Sequence, residues 1–403
     1  MKILIINSVY KEGSTGKIVF DLSESLRMMG NDVLCCYGIG LKKADDHSIR
    51  VCSRFEHFFN ALLGRITGIP YGGLFISNIR LNRIIRRFQP DVVHLHCING
   101  YMVNVYYLMK YLAKKKIKTV LSLHAEIFHT AGCSHAYECE KWRSQCQNCK
   151  DYKREVGSWL FDMSRLSWKK MFESVNSFDS SNIIVTAVSP WLTERVSQSG
   201  IMKNYNVVSV PNGLDTKIFY RREGANYINK QGYERMVLFV TPSFSYDEDD
   251  IKGGRYIIPI AKTLCNHKFV VIASKISDNI GRLPDNVQIW GRASNQDELA
   301  HLYSEADITM LLSRRETFSM VTAESLCCGT PVVGFRAGGP ESIAIKEFSS
   351  FVEYGNVPEL IEAIKSFSKL SFDHNEIERI AASMFNSQAM ALEYFKQYEC
   401  LLR

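Results

Sequence analysis

Hydrophobic runs of strand length alternate along this chain with amphipathic stretches, almost from one end to the other. The runs are continuous, as in strands that are buried on both faces of a parallel sheet. The stretches between them space apolar residues three and four positions apart, which predicts helices. Strands of a first series are predicted at Lys2–Asn7, Val33–Tyr37, Asp91–His96, Thr119–Leu123, Ile183–Val188 and Val207–Val210.

A second series of the same kind follows, and a chain of 403 residues exceeds the size of one ordinary core. Two doubly wound α/β domains that face a cleft are therefore predicted, joined near residues 189–212. Strands of the second series are predicted at Met236–Thr241, Phe269–Ala273, Val287–Trp290 and Asp307–Leu312, with another starting at Pro331. A final amphipathic helix is predicted, with an apolar face of Ala391, Leu392, Phe395, Tyr398 and Leu402.

Charge is distributed unevenly between the two halves. Residues 1–190 contain 26 Lys and Arg against 16 Asp and Glu, a balance of +10. The remainder contains 23 against 26, a balance of −3, and the two add up to the overall +7. A basic half can face an anionic membrane, a phosphorylated lipid or nucleic acid, or it can simply carry solvated helix faces.

The stretch from Arg54 to Arg87 mixes six arginines with aromatic residues and leucines. It predicts one or two amphipathic helices, which rest either on a membrane surface or on the sheet with their basic faces outward. No apolar run approaches the roughly 18 residues that span a bilayer, and Lys2–Asn7 is interpreted as a strand rather than a signal peptide. We therefore expect a cytoplasmic protein, with peripheral contact to the inner face of the cytoplasmic membrane.

Four of the twelve cysteines fall within 17 residues, at Cys133, Cys139, Cys146 and Cys149. Four thiolates that end in a C-x2-C pair can bind one tetrahedral zinc ion. Such a structural zinc site would pin a long loop that has little apolar material of its own. Free thiols, or a redox or iron–sulfur role, remain alternatives. His129 and His135 are additional candidate ligands.

The stretch from Ser313 to Ser342 contains the largest number of candidate ligand-binding residues. Glu316 and Glu324 are separated by seven residues, and Thr317 or Ser319 is predicted to cap a helix that carries Glu324. A loop-to-helix junction presents backbone N–H groups that suit a phosphate, and carboxylates accept hydrogen bonds from ribose or sugar hydroxyls. Taken singly, each glutamate is better explained as a solvated loop or helix residue.

Other loops add candidate ligand contacts. Lys252, followed by two glycines, opens a helix and can clamp a diphosphate. The acidic run just before it is better explained as a solvated loop than as a metal site. His96 and His124 end predicted parallel strands, where open α/β sheets hold ligands, although such histidines are often structural. Gly13 and Gly16 open the first helix and allow close approach of a phosphate or sugar.

The string from Ser313 to Ser342 closely resembles the E-x7-E signature of family 4 retaining glycosyltransferases. Pro211–Asp215 (PNGLD) resembles the element that joins the two domains of that family. The cysteine-rich stretch resembles an insertion of the family 4 branch that takes part in capsule, colanic-acid and O-antigen biosynthesis. The resemblance covers nearly the whole chain and is looser in the N-terminal half.

This resemblance implies a GT-B fold, with two Rossmann-like, doubly wound parallel-sheet domains facing an inter-domain cleft. The acceptor-binding domain is expected over residues 1–190, with a cysteine-rich insertion near 125–155, and the donor domain over 206–385. The last helix, 386–403, is expected to return to the N-terminal domain, the alternative being that it packs on its own domain.

The resemblance also implies a site for a nucleotide-diphospho-sugar, a UDP- or GDP-sugar, with no catalytic metal. Glu324 is expected to hold the ribose and Glu316 the sugar, while Lys252 and backbone N–H groups neutralise the departing diphosphate. His124 is expected to touch the sugar from the other domain when the cleft closes. The implied catalytic residues are Glu316 and His124, and the implied donor-binding residues are Glu324, Lys252, Phe318, Ser319, Met320, Val321, Gly291, Arg292, Gly13, Gly16 and Asn212.

The expected function is sugar transfer with retention, by front-face attack without a protein nucleophile, to a lipid-linked or oligosaccharide acceptor in surface polysaccharide biosynthesis. Two departures from the family pattern keep a catalytically silent, sugar-nucleotide-binding scaffold as an alternative. Ala125 stands where an aspartate is usual, and no arginine lies between Met236 and Ile251. A GT-B epimerase lacks support from the Ser313–Ser342 string. Nucleic acid is not an expected partner, because a clustered basic and aromatic surface is missing.

Overall fold

A computed structural model describes residues 1–40, 45–224, 227–230 and 232–403 of the chain. These residues form two compact units. The first unit comprises Met1–Gly213 and Ser387–Arg403, and the second comprises Leu214–Asn386. Each unit is built on a parallel sheet, and helices connect most of its successive strands. Among the described residues, none of the helices combines the length and the apolar composition that a bilayer crossing requires.

The first unit contains a seven-stranded sheet in the order β3-β2-β1-β4-β5-β6-β7, with every pair parallel. Strand order reverses direction between β1 and β4, which is the switch point of a doubly wound sheet. The strands are β1 Lys2–Val9, β2 Asp32–Ile39, β3 Ser48–Arg50, β4 Val92–Leu95, β5 Thr119–Leu123, β6 Ile183–Ala187 and β7 Val207–Ser209. The helices are α1 Gly13–Met28, α2 Arg54–Thr67, α3 Ile76–Phe88, α4 Val105–Lys114, α5 Ile127–Thr130, α6 Ser164–Val175 and α7 Pro190–Ser197.

The second unit contains a six-stranded parallel sheet in the order β10-β9-β8-β11-β12-β13. Its core consists of aliphatic and phenylalanine side chains from both sheet and helices, such as Val237, Phe269 and Leu360. The strands are β8 Arg235–Phe244, β9 His267–Ile276, β10 Val287–Gly291, β11 Ile308–Leu311, β12 Val332–Phe335 and β13 Ser349–Val352. The helices are α8 Ile257–Thr263, α9 Gln296–Glu305, α10 Met320–Cys327, α11 Gly339–Ile343, α12 Val357–Lys369 and α13 His374–Phe385.

The last helix, α14 (Ser387–Leu402), belongs to the first unit, where it packs on α1. The Tyr398 hydroxyl lies 2.7 Å from Nδ1 of His94, and the Tyr394 hydroxyl lies 3.0 Å from Oγ of Ser122. The buried side chains are Met390, Ala391, Tyr394, Tyr398 and Leu401. The predicted apolar face was therefore partly wrong, because Leu392 and Leu402 are exposed.

Candidate functional site

The predicted donor residues of the second unit gather at one edge of its sheet. Because all six strands are parallel, the loops that follow β8, β10, β11 and β12 leave from the same carboxyl edge, where open α/β sheets bind ligands. Lys252 lies in the loop after β8, Gly291 at the end of β10, Glu316 after β11 and Gly338 after β12.

Backbone hydrogen bonds hold the Glu316 loop against the loop that follows β12. The N–H of Glu316 donates to the carbonyl of Ala337 at 2.9 Å, and the N–H of Gly339 donates to the carbonyl of Glu316 at 2.9 Å. A Cβ atom on Gly339 would lie 2.4 Å from the carbonyl carbon of Thr317. Glycine at position 339 is therefore required for the two loops to approach each other.

Helix α10 begins directly after this loop. Oγ of Ser319 accepts a hydrogen bond from the N–H of Thr322 at 3.2 Å, so Ser319 rather than Thr317 is the cap. Ser319 has a φ of +83°, a conformation that is rare for a residue with a side chain. The backbone of Phe318, Met320 and Val321, for which phosphate binding is predicted, therefore lies at the N-terminal end of an eight-residue helix.

Lys252 and Glu316 are in direct contact. The Lys252 ammonium forms an ion pair with Oε1 of Glu316, and Oγ of Ser313 donates to the same oxygen at 2.9 Å. Both charged side chains remain partly exposed, at 24% and 20%. Gly253, at φ +74°, packs on the end of β11, since a Cβ there would lie 2.3 Å from the carbonyl oxygen of Leu312. An anionic ligand can therefore compete with Glu316 for a lysine whose position is fixed by the backbone.

Glu324 is held by a buried tyrosine that the sequence did not indicate. The Tyr303 hydroxyl, on α9, donates to Oε2 of Glu324 at 3.1 Å. Tyr303 is completely buried, and burial together with the Glu324 charge raises the pKa of its hydroxyl well above the usual value. The hydroxyl therefore stays protonated and acts as a fixed donor to the carboxylate.

Gly291 and Arg292 lie in a loop that is held by a second residue missing from the predicted set, Glu298. The Glu298 carboxylate accepts hydrogen bonds from Nε1 of Trp290 at 3.0 Å and from the N–H of Ser294 at 2.6 Å. Gly291 has a φ of +90°, and Arg292 is exposed. A sequence signal for Glu298 exists, because an asparagine cap three residues before a glutamate is typical of a helix start.

In the first unit, His124 stands at the end of a chain of buried histidines. Its Nε2 lies 2.9 Å from Nδ1 of His96, and the His96 ring packs against His94 at a centroid distance of 4.0 Å. Burial lowers the pKa of His124 to about 4 and holds the pKa of His94 and of His96 well below its usual value. All three imidazoles are therefore neutral at physiological pH, and His124 can exchange hydrogen bonds with a ligand without adding charge.

The other predicted residues of the first unit are two glycines, which can contact a ligand only through their backbone, and one asparagine. Gly13 and Gly16 lie in the first turn of α1, and the carbonyl of Gly16 accepts the N–H of Lys11 at 3.0 Å. Asn212 is buried, and its Oδ1 finds no hydrogen-bond partner within the part of the chain that the structure describes. The predicted residues thus form two groups, one in each unit.

The four clustered cysteines line one small cavity of about 40 Å³, and all of them are free thiols. Burial and the neighbouring cysteines raise the pKa of Cys146 to about 12. Within residues 1–40, 45–224, 227–230 and 232–403, no group of three or more His, Cys, Asp or Glu side chains is arranged to hold a metal ion. The predicted zinc site therefore finds no support in the geometry.

The cysteine-rich stretch is anchored by other side chains. Trp142 is buried, with the Arg195 guanidinium 4.7 Å from its ring. The Glu126 carboxylate accepts hydrogen bonds from Nε of Arg195 at 2.6 Å and from the N–H of Ala136 at 2.8 Å. His129, considered as a spare zinc ligand, lies 3.4 Å from Glu126 instead. These aromatic and ionic contacts hold the stretch against α7.

Comparison with known families identifies two matching regions. Residues 15–218 match the family model described as Glycosyltransferase Family 4, and residues 280–384 match the one described as Glycosyl transferases group 1. WcaC of Escherichia coli (strain K12), by name a colanic acid biosynthesis glycosyl transferase, is 27% identical over 100% of both chains. N-acetyl-alpha-D-glucosaminyl L-malate synthase of Bacillus anthracis is 25% identical over 55% of this chain, and the match spans only 60% of that enzyme.

Solved structures match over the full length of the chain. Sucrose-phosphate synthase of Thermosynechococcus elongatus superposes with a TM-score of 0.70 at 16% identity, covering 99% of this chain and 98% of that one. HepE of Anabaena, solved in complex with UDP, gives a TM-score of 0.66 at 15% identity, covering 99% and 100%. At these identities the likeness shows the fold alone, which is that of GT-B glycosyltransferases.

Proposed function

Since the chain belongs to glycosyltransferase family 4 and has the GT-B fold, we propose that it moves a sugar from a nucleotide-diphospho-sugar to a lipid-linked glycan acceptor with retention of configuration. The observation that carries this proposal is the contact of Lys252 with Glu316 beside the start of α10. A cation, a carboxylate and helix N–H groups there suit a diphosphate and a sugar hydroxyl. The full-length likeness to WcaC supports a role in polysaccharide biosynthesis.

In this proposal the diphosphate displaces Glu316 from Lys252 when the donor binds. Lys252 and the N–H groups at the start of α10 then neutralise charge that develops on the leaving diphosphate, without a catalytic metal. The freed Glu316 accepts hydrogen bonds from the sugar, and Glu324 accepts them from the ribose. The structures of HepE with UDP and with UDP-glucose support a nucleotide-sugar donor, and we propose a UDP- or GDP-sugar.

Retention is proposed to follow front-face attack. The acceptor hydroxyl bonds to the anomeric carbon as the carbon–oxygen bond to the diphosphate breaks, and its proton passes to the departing phosphate oxygen. No protein nucleophile is used. His124 keeps its proposed role as a contact to the sugar, and its low pKa means that it makes this contact as a neutral imidazole.

The proposal is tested with a screen of UDP-, GDP-, ADP- and CMP-sugars in the presence of EDTA, following thermal stabilisation and slow hydrolysis of the donor. We expect one nucleotide class to stabilise the protein and to lose its sugar. Lys252→Ala should weaken binding of that nucleotide about tenfold or more, because a charge-assisted contact contributes about 1.5–3 kcal/mol. Glu316→Gln should lower turnover more than binding.

Lys262→Ala, at an exposed lysine on α8 of the same unit, is the matched control and should change neither quantity. If the protein binds a nucleotide sugar but transfers and hydrolyses nothing, it is the silent scaffold and the enzymatic proposal is wrong. Unchanged binding and turnover in both site variants would disprove the residue assignment.

A further inference from the structure

Helix α2 of the first unit has an inverted polarity. The buried residues of α2 are Glu56, Asn60 and Gly64, which are spaced four apart and share one helical face. Two large side chains on the opposite side, Phe55 and Phe58, are 67% and 61% exposed. A surface helix normally turns its apolar stripe toward the core and its polar side chains toward water.

The two inward polar side chains of α2 make hydrogen bonds to backbone groups. Oε1 of Glu56 accepts the N–H of Ser77 at 2.7 Å, at the start of α3. Oδ1 of Asn60 accepts the N–H of Leu74 at 2.8 Å, and its Nδ2 donates to the carbonyl of Tyr101 at 2.9 Å. Because these bonds satisfy the backbone of the α2–α3 connection, the inverted orientation is fixed by the fold.

Nine large apolar side chains are exposed on α2, on α3, at the connection between them and in the segment 159–161. Trp159, which is 52% exposed, lies next to them because its backbone N–H donates to the carbonyl of Arg65 at 2.8 Å, near the end of α2. Exposed large apolar side chains that cluster in one part of a protein surface mark interaction sites. We call this surface the apolar face, and it consists of Phe55, Phe58, Ile66, Phe75, Ile76, Ile79, Trp159, Leu160 and Phe161.

Basic side chains accompany the apolar face. Helices α2 and α3 carry six arginines. Within the described part of the chain, only Arg80 among them has a carboxylate within 4 Å, that of Glu56 at 3.7 Å. The Arg65 guanidinium lies 5.6 Å from the centroid of the exposed Trp159 ring. Guanidinium groups and exposed aromatic rings together match the anionic headgroups and the apolar interior of a bilayer surface. The arginines on the two helices are Arg54, Arg65, Arg80, Arg83, Arg86 and Arg87.

A groove of about 440 Å³ opens beside the apolar face, with Phe75 contributing to both. Its other apolar lining includes Leu63, Leu74 and Tyr106, and two lysines also line it. Of these, Lys110 is paired with Glu173 at 3.1 Å. The other, Lys170, lies 5.9 Å from the centroid of the Tyr106 ring. The groove thus offers apolar walls together with an ammonium group.

We propose that the apolar face docks on an anionic phospholipid bilayer and that the groove receives the hydrocarbon chain of the lipid-linked acceptor, with Lys170 beside its phosphate. The groove assignment rests on the proposed function, because it names the part of the acceptor that binds there. The docking surface rests on the inverted helix α2, on the exposed apolar side chains around it and on the arginines of α2 and α3.

Sedimentation of the full chain with vesicles tests the docking surface. We expect binding to vesicles of phosphatidylglycerol and phosphatidylcholine, weak binding to phosphatidylcholine alone, and at least a tenfold loss for Phe55→Ala/Phe58→Ala. Met28→Ala removes a side chain that is 70% exposed on α1 and should bind like the parent. Donor hydrolysis should be unchanged in both variants.

Brominated lipids provide a second measurement on the unmodified protein. On binding, they should quench the tryptophan fluorescence of the unmodified protein. This quenching should largely disappear in the variant Trp159→Phe. For the groove, farnesyl phosphate should stabilise the protein more than farnesol does, and inorganic phosphate should have no effect. Leu74→Trp, which fills the groove, should abolish stabilisation by farnesyl phosphate, and Lys170→Ala should reduce it toward that of farnesol.

The outcomes separate the two proposals. Equal vesicle binding by parent and Phe55→Ala/Phe58→Ala overturns the docking surface, and so does a parent that dimerises through this face. Stabilisation that survives Leu74→Trp overturns the groove assignment. Absence of donor hydrolysis with intact vesicle binding would instead count against the proposed transferase activity while the docking surface stands.

Discussion

Replacing Tyr303 by phenylalanine tests whether a buried hydroxyl sets the position of Glu324. The change removes one oxygen from a completely buried ring and leaves the ring in place. The lost bond, 3.1 Å long, ends on a carboxylate, and hydrogen bonds to charged groups contribute about 1.5–3 kcal/mol. Because Glu324 is only half-buried, water can replace part of this loss. We expect donor affinity to fall by about 1–2 kcal/mol, or roughly 5- to 30-fold.

The assay is a double-mutant-type thermodynamic cycle, in which the protein loses the Tyr303 hydroxyl and the ligand loses its ribose hydroxyls. Binding of the nucleoside diphosphate that the donor screen selects is compared by calorimetry with binding of its 2′,3′-dideoxy analogue, for the parent and for Tyr303→Phe. The parent should lose much more affinity than the variant when the hydroxyls are removed, because a mispositioned Glu324 has less ribose binding to lose. Tyr227→Phe, at an exposed tyrosine of the same unit, is the control. Equal losses in parent and variant would refute the reasoning.

Three further predictions concern other parts of the molecule. Gly339→Ala should abolish donor binding, because its Cβ would lie 2.4 Å from the backbone of Thr317 and would push the two loops apart. Calorimetric titration of the folded variant with the donor nucleotide checks this. Glu126→Gln should lower the free energy of unfolding by about 3 kcal/mol, because it leaves the Arg195 charge poorly paired; urea denaturation measures it, and an unchanged midpoint contradicts it. Stability should also fall as pH drops from about 6.5 toward 4, since the unfolded chain protonates His124 before the folded one does. His124→Asn should flatten this slope in urea titrations at several pH values, whereas the exposed His47→Asn should not.

The sequence predicted those features that depend on local pattern. Continuous hydrophobic runs located the described strands except β3 and β13, which lie at sheet edges. A helix cap was predicted at Thr317 or Ser319, and the structure places it at Ser319. The contacts that complete the donor residues could not be predicted, because they join distant positions: Lys252 meets Glu316 across 64 residues, and Tyr303 meets Glu324 across 21. Nothing in the spacing of a charged residue indicates which distant partner the fold brings to it.

Helix orientation shows the same limit in another form. Periodicity identified amphipathic helices between residues 54 and 87 but could not tell which side faces inward. Buried backbone groups that need partners drew Glu56 and Asn60 inside. In α14, tyrosine hydroxyls found partners on His94 and Ser122, so the helix turned Leu392 toward solvent. Polar satisfaction overrode apolar content in both places.

The placement of α14 has a consequence for how the protein is made. Because residues 387–402 complete the packing around His94 and Ser122, the first unit cannot finish folding until helix α14 has been synthesised. The second unit, an uninterrupted segment, is free to fold earlier. During translation the surface that α14 covers stays exposed. A chain stopped before residue 387 would leave that surface permanently exposed to proteases and chaperones.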